Sequence, residues 1–297
     1  MTNQVPQLFD PIAQRRYRQR AAAHYADFAF LKDEAALRLA DRVELMRRNF
    51  DLCLDIGAHD GRLFQHLKPL EKIGRMIETD PAAGFARPNS QPFVVHDFKA
   101  LPFAAGRFDA VFSCLTMHWV DDLPGLMMQI RQLLKPDGLC LISLLGGNSL
   151  HELRASLGAA EQEIKGGVSP RCAPMADIRD VGGLLGRAGL ALPVADSDRL
   201  TVTYPDMFRL LGDLRGMGEA NAMLGRVRTA TGRRLFLRAA EIYQQRFGLA
   251  DGSIPASFEI ITLTGWAPHE SQQKPLKPGS AANFLANALD NDPPEKG

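Results

Sequence analysis

Between residues 50 and 145 the hydrophobic period of this chain switches repeatedly, and that switching limits the folds open to it. Phe50–Ile56 is a short, nearly continuous apolar run, as a strand covered on both faces requires. Residues 61–68 follow with a helical pattern closed by Pro69. Further strand-like runs come at 73–79, 93–96, 108–115 and 139–145. A helix over 123–134 separates the last two and is ended by the turn residues Lys135, Pro136, Asp137 and Gly138. Strands alternating with helices predict βαβ units and a doubly wound α/β sheet.

The flanking segments read differently. Residues 32–48 form a helical pattern with Asp33 and Glu34 in the first turn and Arg47 and Arg48 in the last, matching the helix dipole at both ends. Ahead of it, Arg15, Arg16, Arg18 and Arg20 lie in an Ala-rich stretch that faintly resembles a transit peptide. Asp10, Pro11 and the aromatic residues Tyr17, Tyr25, Phe28 and Phe30 favour a folded helix with a solvated basic face instead. Beyond residue 146, helices are expected over 149–164 and 177–188, and strands over 190–195 and 199–204. Pro205 would sit in the first turn of another helix. An amphipathic helix over Arg233–Phe247 and a late strand over 258–266 complete the pattern. The chain thus divides into an N-terminal helical arm (1–48), a core (49–145), a C-terminal part with a helical lid (146–267) and a tail (268–297) expected to be mobile.

Charge gives no reason to expect nucleic acid or an acidic surface as partner, since 35 basic side chains face 34 acidic ones. Cys53, Cys114, Cys140 and Cys172 form no C-x-x-C pair, and buried free thiols are expected. No apolar run reaches the ~18 residues of a spanning helix, and no signal peptide is expected.

Candidate chemistry collects at the strand ends. The stretch Leu54-Asp55-Ile56-Gly57-Ala58-His59-Asp60-Gly61 has the form of a glycine turn leading from a strand into a helix, where backbone can approach a ligand. Alone, D-x-G-x-x-x-G is a weak signal. His59 stands where a further glycine is expected; histidine is among the residues enriched at positive φ, so the turn can survive it. The second strand ends in Glu78-Thr79-Asp80, about 20 residues on, where an acid grips a ribose in dinucleotide folds, and Asp80 is the better placed of the two acids. The third ends in His96-Asp97-Phe98, where a carboxylate could accept from an adenine amino group. Three acids at three successive strand ends argue for ligation more strongly than any one of them.

The order "LDIGAHDG", "ETDPA" and "VVHDFKALPFAAGRFDAVFSCLTMHWVDDLPGLMMQIRQLLKPDG" resembles class I S-adenosylmethionine-dependent methyltransferases of the ubiquinone- and biotin-pathway type. The resemblance implies a Rossmann-like seven-stranded doubly wound sheet with a reversed last strand, N-terminal helices, and a helical insertion before that strand. It places Asp55, Gly57, Ala58, His59 and Gly61 at the methionine moiety, Asp80 at the ribose, Asp97 and Phe98 at the adenine, and Leu115 beside the cofactor, S-adenosylmethionine. "HWVDDLPGLMMQIRQLLKPDG", "GGNSLHELRASLGAAEQE", "GGVSPRCAPMADIRDVGGLLGRAG" and "YPDMFRLLGDLRGMGEANA" further resemble the methyltransferase-like assembly factors of respiratory complex I. That resemblance implies a protein substrate, a complex I subunit, whose arginine is hydroxylated; it implies no nucleic-acid partner and at most peripheral membrane contact. The expected location is the bacterial cytoplasm, or the mitochondrial matrix for a eukaryotic chain. Hydroxylation itself rests on the resemblance alone: no H-x-D/E pattern or thiolate cluster announces a metal site.

His118 and Trp119 follow the fourth strand, where a group acceptor would lie, and are the catalytic candidates. A histidine there could act as base and the indole could stack on a guanidinium; packing of the next helix explains both equally. Glu152 and Glu161 are candidates to meet a substrate guanidinium, or form a solvated helix face. The competing functions are a conventional methyltransferase on a small molecule or acyl carrier protein, and a non-catalytic assembly chaperone.

Overall fold

The structure, a computed structural model, describes residues 6–87 and 91–272. Five strands run parallel: β1 (Phe50–Ile56), β2 (Ile73–Asp80), β3 (Phe93–Val95), β4 (Phe108–Cys114) and β5 (Leu134–Leu145). β6 (Ala191–Tyr204) lies at the edge, and β7 (Ile254–Trp266) inserts antiparallel between it and β5. The order is β3-β2-β1-β4-β5-β7-β6, the expected seven-stranded sheet with its last strand reversed.

Among the described residues eight α-helices surround it: α1 (Pro11–Ala21), α2 (Phe30–Leu45), α3 (Arg62–Leu67), α4 (Leu123–Leu133), α5 (His151–Lys165), α6 (Ile178–Arg187), α7 (Met207–Gly216) and α8 (Arg233–Phe247). One face of the sheet is covered by α2, α3, α5, α7 and α8 through Leu39, Leu63, Leu157, Leu210 and Tyr243. The other is covered by α4 and α6 through Met127, Ile130 and Leu185. Leu126, Met127, Ile130 and Leu133 fall on one stripe of α4, which is why that helix lies flat on the sheet. The helical insertion between β6 and β7 is α7 and α8.

Several boundaries differ from the sequence reading for identifiable reasons. The Lys135–Gly138 turn is absorbed into β5 as an irregularity: Phe108 pairs with Leu134, the next partners are Ala110 and Leu139, and Asp137 takes φ 61°. The two strands expected over 190–204 are one, β6, because pairing with β7 continues through the polar residues Asp196, Ser197 and Asp198 of this edge strand. Asp206, not Pro205, caps α7, accepting from Arg209 N at 2.9 Å. α2 ends at Leu45, so Arg47 and Arg48 lie beyond it, and Arg48 pairs with Asp137 instead.

α1 begins as expected, with Asp10 as cap for Ala13 N (3.0 Å). Its basic face is only partly solvated: Arg15, Arg16 and Arg20 are exposed, but Arg18 is buried. The helix lies over the carboxyl edge of the sheet, tied by Asp10 N to Ala222 O (2.7 Å) and Gly84 N to Gln19 Oε1 (2.8 Å). Of the expected mobile tail, residues from 273 onward lie outside the described residues.

Candidate functional site

The loop after β1 turns on three positive φ angles, 77° at Gly57, 52° at His59 and 74° at Gly61. A Cβ on Gly57 would stand 2.3 Å from Thr116 Cγ2, and one on Gly61 2.5 Å from Glu78 Oε1. Glycine is therefore required at Gly57 by conformation and by space, and at Gly61 by conformation, since the ends of the Glu78 and Arg87 side chains could move aside. The amides of Gly57 and Ala58 donate to Thr79 O (2.8 and 2.9 Å), and Gly61 N donates to Ala58 O (3.0 Å). These amides hold the loop to β2 rather than facing a ligand, and α3 has only six residues. The loop contributes shape.

His59 fills the middle of the cradle and is buried. Its ring stacks on Tyr25 (centroids 4.8 Å apart, 22° between planes) and meets Phe85 edge-on. Nδ1 lies 2.5 Å from Lys32 Nζ and 3.3 Å from Arg18 Nη2. The same nitrogen also lies 2.9 Å from Gly57 O, which only accepts, but that carbonyl already receives Lys32 Nζ. With two cationic donors beside it, Nδ1 is assigned as the acceptor and the imidazole as neutral with its proton on Nε2. Burial first, then the charges of Arg18 and Lys32, hold its pKa well below the usual histidine value. Lys32 completes its bonds to Gly57 O (2.7 Å) and Cys114 O (3.1 Å), and burial lowers its pKa.

The strand-end acids differ in place and in state. Asp80 is buried against Arg18, to which it is ion-paired, and accepts from Ala82 N (2.9 Å) and His59 N (3.3 Å). Glu78 is paired with Arg87 through Oε2 (2.5 Å). Asp55 is fully buried with neither oxygen hydrogen-bonded among the described residues, and burial pushes its pKa up to about 7. Asp97 is exposed and accepts from Lys99 N (3.0 Å). It lines a cavity of about 640 Å³ together with Phe98, Gln14, Trp119 and Gln129. Leu115 is buried at the tip of β4 with φ 44°.

His118 and Trp119 share one partner, Glu219. Trp119 Nε1 donates to its Oε2 at 2.6 Å, and His118 Nε2 lies 3.2 Å from the same oxygen. A carboxylate only accepts, so His118 carries its proton on Nε2, and the buried Nδ1 has no partner among the described residues. Burial would raise the Glu219 pKa, but these contacts outweigh it and hold the carboxyl below its usual range. Trp119 is also a wall of a second cavity of about 780 Å³, bounded by α1, the start of α5, α7 and the loop that follows α7.

Glu152 and Glu161 do not meet this site. Glu152 accepts from Ser257 Oγ (2.6 Å), and Glu161 is closed by Arg171 (2.6 Å) and Ser169 Oγ (2.7 Å). The neighbours' donors, rather than a solvated surface, account for both. None of Arg18, Tyr25, Lys32 and Glu219 is placed in the site by the sequence; Arg18 and Tyr25 enter there only as part of the N-terminal arm. Lys32 had a visible sign, a cation on the stripe of Ala35, Ala36, Leu39 and Val43, as did Arg18 between Gln14 and Ala21. Glu219 lies in an irregular loop with no period to betray it. Among the described residues no three of His, Cys, Asp and Glu cluster so as to hold a metal ion.

A methyltransferase domain family matches residues 54–142. The chain is 40% identical over 281 residues to the mitochondrial arginine-hydroxylase NDUFAF5 of Danio rerio, covering 92% of this chain and 87% of that one. It is 30% identical over 275 residues to a malonyl-[acyl-carrier protein] O-methyltransferase of Gallionella capsiferriformans, covering 88% and 92%. In fold it is similar to a candidate methyltransferase from Bacillus halodurans, with a TM-score of 0.53 at 14% identity over 78% of this chain and 99% of the other. S-adenosylmethionine is the cofactor of such domains, and the cradle's unmatched atoms fit its groups. Asp55 offers two free buried acceptors for an ammonium, Glu78 Oε1 a third acceptor, and Arg18 Nη1 a free buried donor for a carboxylate. The chain belongs to the family of the arginine-hydroxylase NDUFAF5 proteins, built on the class I methyltransferase fold.

Proposed function

We propose that this protein binds S-adenosylmethionine in the cradle and modifies an arginine of a respiratory complex I subunit, by hydroxylation or methylation, as that complex is assembled. The observation that carries the reading is the reach of the likeness to the arginine-hydroxylase NDUFAF5 proteins. It spans 92% of the chain, so it takes in α5 and α7, which wall the second cavity, as well as the cofactor domain. In this reading Asp80 holds the ribose with an oxygen released from its pair with Arg18. Asp55 and the loop of Gly57, Ala58, His59 and Gly61 face the methionine moiety, and Arg18 turns its free Nη1 to the carboxylate of that moiety. Asp97 and Phe98 border the adenine, and Leu115 lies beside the cofactor.

The bound cofactor would supply an electrophilic methyl group on a sulfonium, which serves methylation; hydroxylation would draw its oxygen atom from molecular oxygen and two electrons from an external reductant. The chain's own residues hold the guanidinium and take its proton in the methylation. Trp119 presents its ring to a guanidinium. His118 Nδ1, unpartnered because Nε2 is turned to Glu219, is the nitrogen available to take a proton. The protein would work in the bacterial cytoplasm or the mitochondrial matrix, at most peripherally on the membrane; no described helix is long and apolar enough to cross one.

Deleting the gene and weighing the complex I subunits intact tests the reading. One subunit should lose the mass of an oxygen atom or of a CH2 unit, and unchanged masses would overturn it. Calorimetric titration with S-adenosylmethionine tests the cradle. The native chain should bind, and Asp97→Ala, an exposed change, should weaken binding by about tenfold, or about 1.4 kcal/mol. An arginine-rich cavity mouth also suits an acyl acid, so methyl transfer to a malonyl-acyl carrier protein is the second reading; methyl ester formation on that substrate would select it.

A further inference from the structure

The unpaired charges of the second cavity differ between its interior and its mouth; Arg171 and Arg226, which also line it, are paired with Glu161 and Asp10. Its floor is apolar, with Leu31, Leu153 and Phe258 among its lining. Two carboxylates line it, Asp10 and Glu219. Asp10 is occupied by Ala13 N and by Arg226 at 2.8 Å. Glu219 differs: Oε2 holds both Trp119 and His118, whereas Oε1 has no hydrogen-bond partner among the described residues and the side chain keeps 16% exposure. Oε1 therefore retains both lone pairs for a cation entering beside the Trp119 ring. At the mouth stand Arg16, Arg215 and Arg228. Arg16 and Arg215 are exposed with no carboxylate partner among the described residues, and Arg228, 69% exposed, comes only within 4.0 Å of Asp10.

A ligand that is cationic throughout would be repelled at the mouth, and one that is anionic throughout would meet Glu219 inside. We propose that the cavity selects an arginine whose sequence neighbours are acidic: Glu219 receives the guanidinium through Oε1, Trp119 covers its face, and Arg16 and Arg215 receive the flanking carboxylates. Guanidinium against a partly desolvated carboxylate is a strong, directional pairing, and the mouth arginines repeat it in the opposite sense. This deepens the arginine-modification reading and rests on it, naming Glu219 as the specificity residue and an acid-flanked segment as the substrate class.

Trp119 reports the test, because the chain has two tryptophans and Trp266→Phe leaves it as the sole one. The probes are the capped peptides Asp-Ala-Arg-Ala-Asp, its citrulline counterpart, which keeps the shape and loses the charge, and Lys-Ala-Arg-Ala-Lys. The acid-flanked arginine peptide should shift Trp119 emission with an affinity about tenfold above either of the others. Glu219→Gln, which can still accept from Trp119, should bind arginine and citrulline peptides equally while S-adenosylmethionine binding and the melting temperature stay near native. Arg215→Glu, an exposed change, should erase the preference for acidic flanks. Equal native affinities for arginine and citrulline overturn the proposal, as does a preference that survives Glu219→Gln. If Glu219→Gln does not fold, the native citrulline comparison and Arg215→Glu decide. Subunit masses that ignore the gene would sink arginine modification but not this peptide preference, so the two readings fail separately.

Discussion

Arg18 and Asp80, 62 positions apart, form a buried ion pair that fastens the N-terminal helix to the tip of the second strand. Neither side chain keeps contact with solvent beyond 2%. Removing one partner leaves a buried charge without its counterion. Arg18→Ala should therefore lower the unfolding free energy by about 3–5 kcal/mol, read by urea denaturation. The double change Arg18→Ala with Asp80→Asn should recover part of that loss. Equal losses in the single and double variants would show that the pair is not the source.

Asp55 sets a pH dependence of known sign. Its folded pKa of about 7 lies above the unfolded carboxyl value, so the folded state keeps a proton that the unfolded state has released. That contribution is complete below about pH 4 and is lost as pH rises through the folded pKa, at about 1.4 kcal/mol for each pH step between the two values. Asp55→Asn in the ligand-free chain should gain on the native protein by on the order of 3 kcal/mol between about pH 5 and about pH 8. A difference that does not change with pH would contradict the assignment.

The two glycines of the cradle should tolerate nothing larger. At Gly57 an added methyl meets Thr116 and the backbone stays at φ 77°. Gly57→Ala should cost about 2–4 kcal/mol from left-handed strain and overpacking together, and should abolish S-adenosylmethionine binding in the titration. Native-like affinity in a folded Gly57→Ala protein would remove the glycine from the site.

His59 combines a left-handed backbone with an acceptor for two buried cations. Asparagine tolerates that backbone and carries a side-chain oxygen, so His59→Asn should fold nearly as well as the native chain. His59→Ala should lose about 1–3 kcal/mol, chiefly from the unmatched donors of Arg18 and Lys32. The depressed histidine pKa also gives an acid-side effect of the opposite sign to that of Asp55. Its contribution is present above the unfolded histidine value and is lost as pH falls toward the folded one. His59→Asn should flatten that acid limb in a pH series of melting temperatures.

The sheet was legible because its strands carry their own period: β1 was read to the residue, and the reversed β7 was found from a late apolar run. The loop glycines were legible because positive φ restricts residue choice. What escaped was the cover of the cradle. Arg18, Lys32 and Glu219 come from three segments that fold onto the carboxyl edge; helical spacing marks the first two as inward-facing but not what they meet, and Glu219 has no period at all. The same blindness put Glu152 and Glu161 near the site, when Ser257 and Arg171, distant or on a neighbouring loop, had already claimed them.

α1 touches three compartments at once. Gln14 and Arg15 border the chamber beside Asp97, Arg16 and Tyr17 border the chamber beneath Glu219, and Arg18 stands in the cradle between them. The eleven residues of α1 are one continuous helix. A tilt that widened one chamber would therefore redraw the wall of the other, because neighbouring positions of the same helix face both.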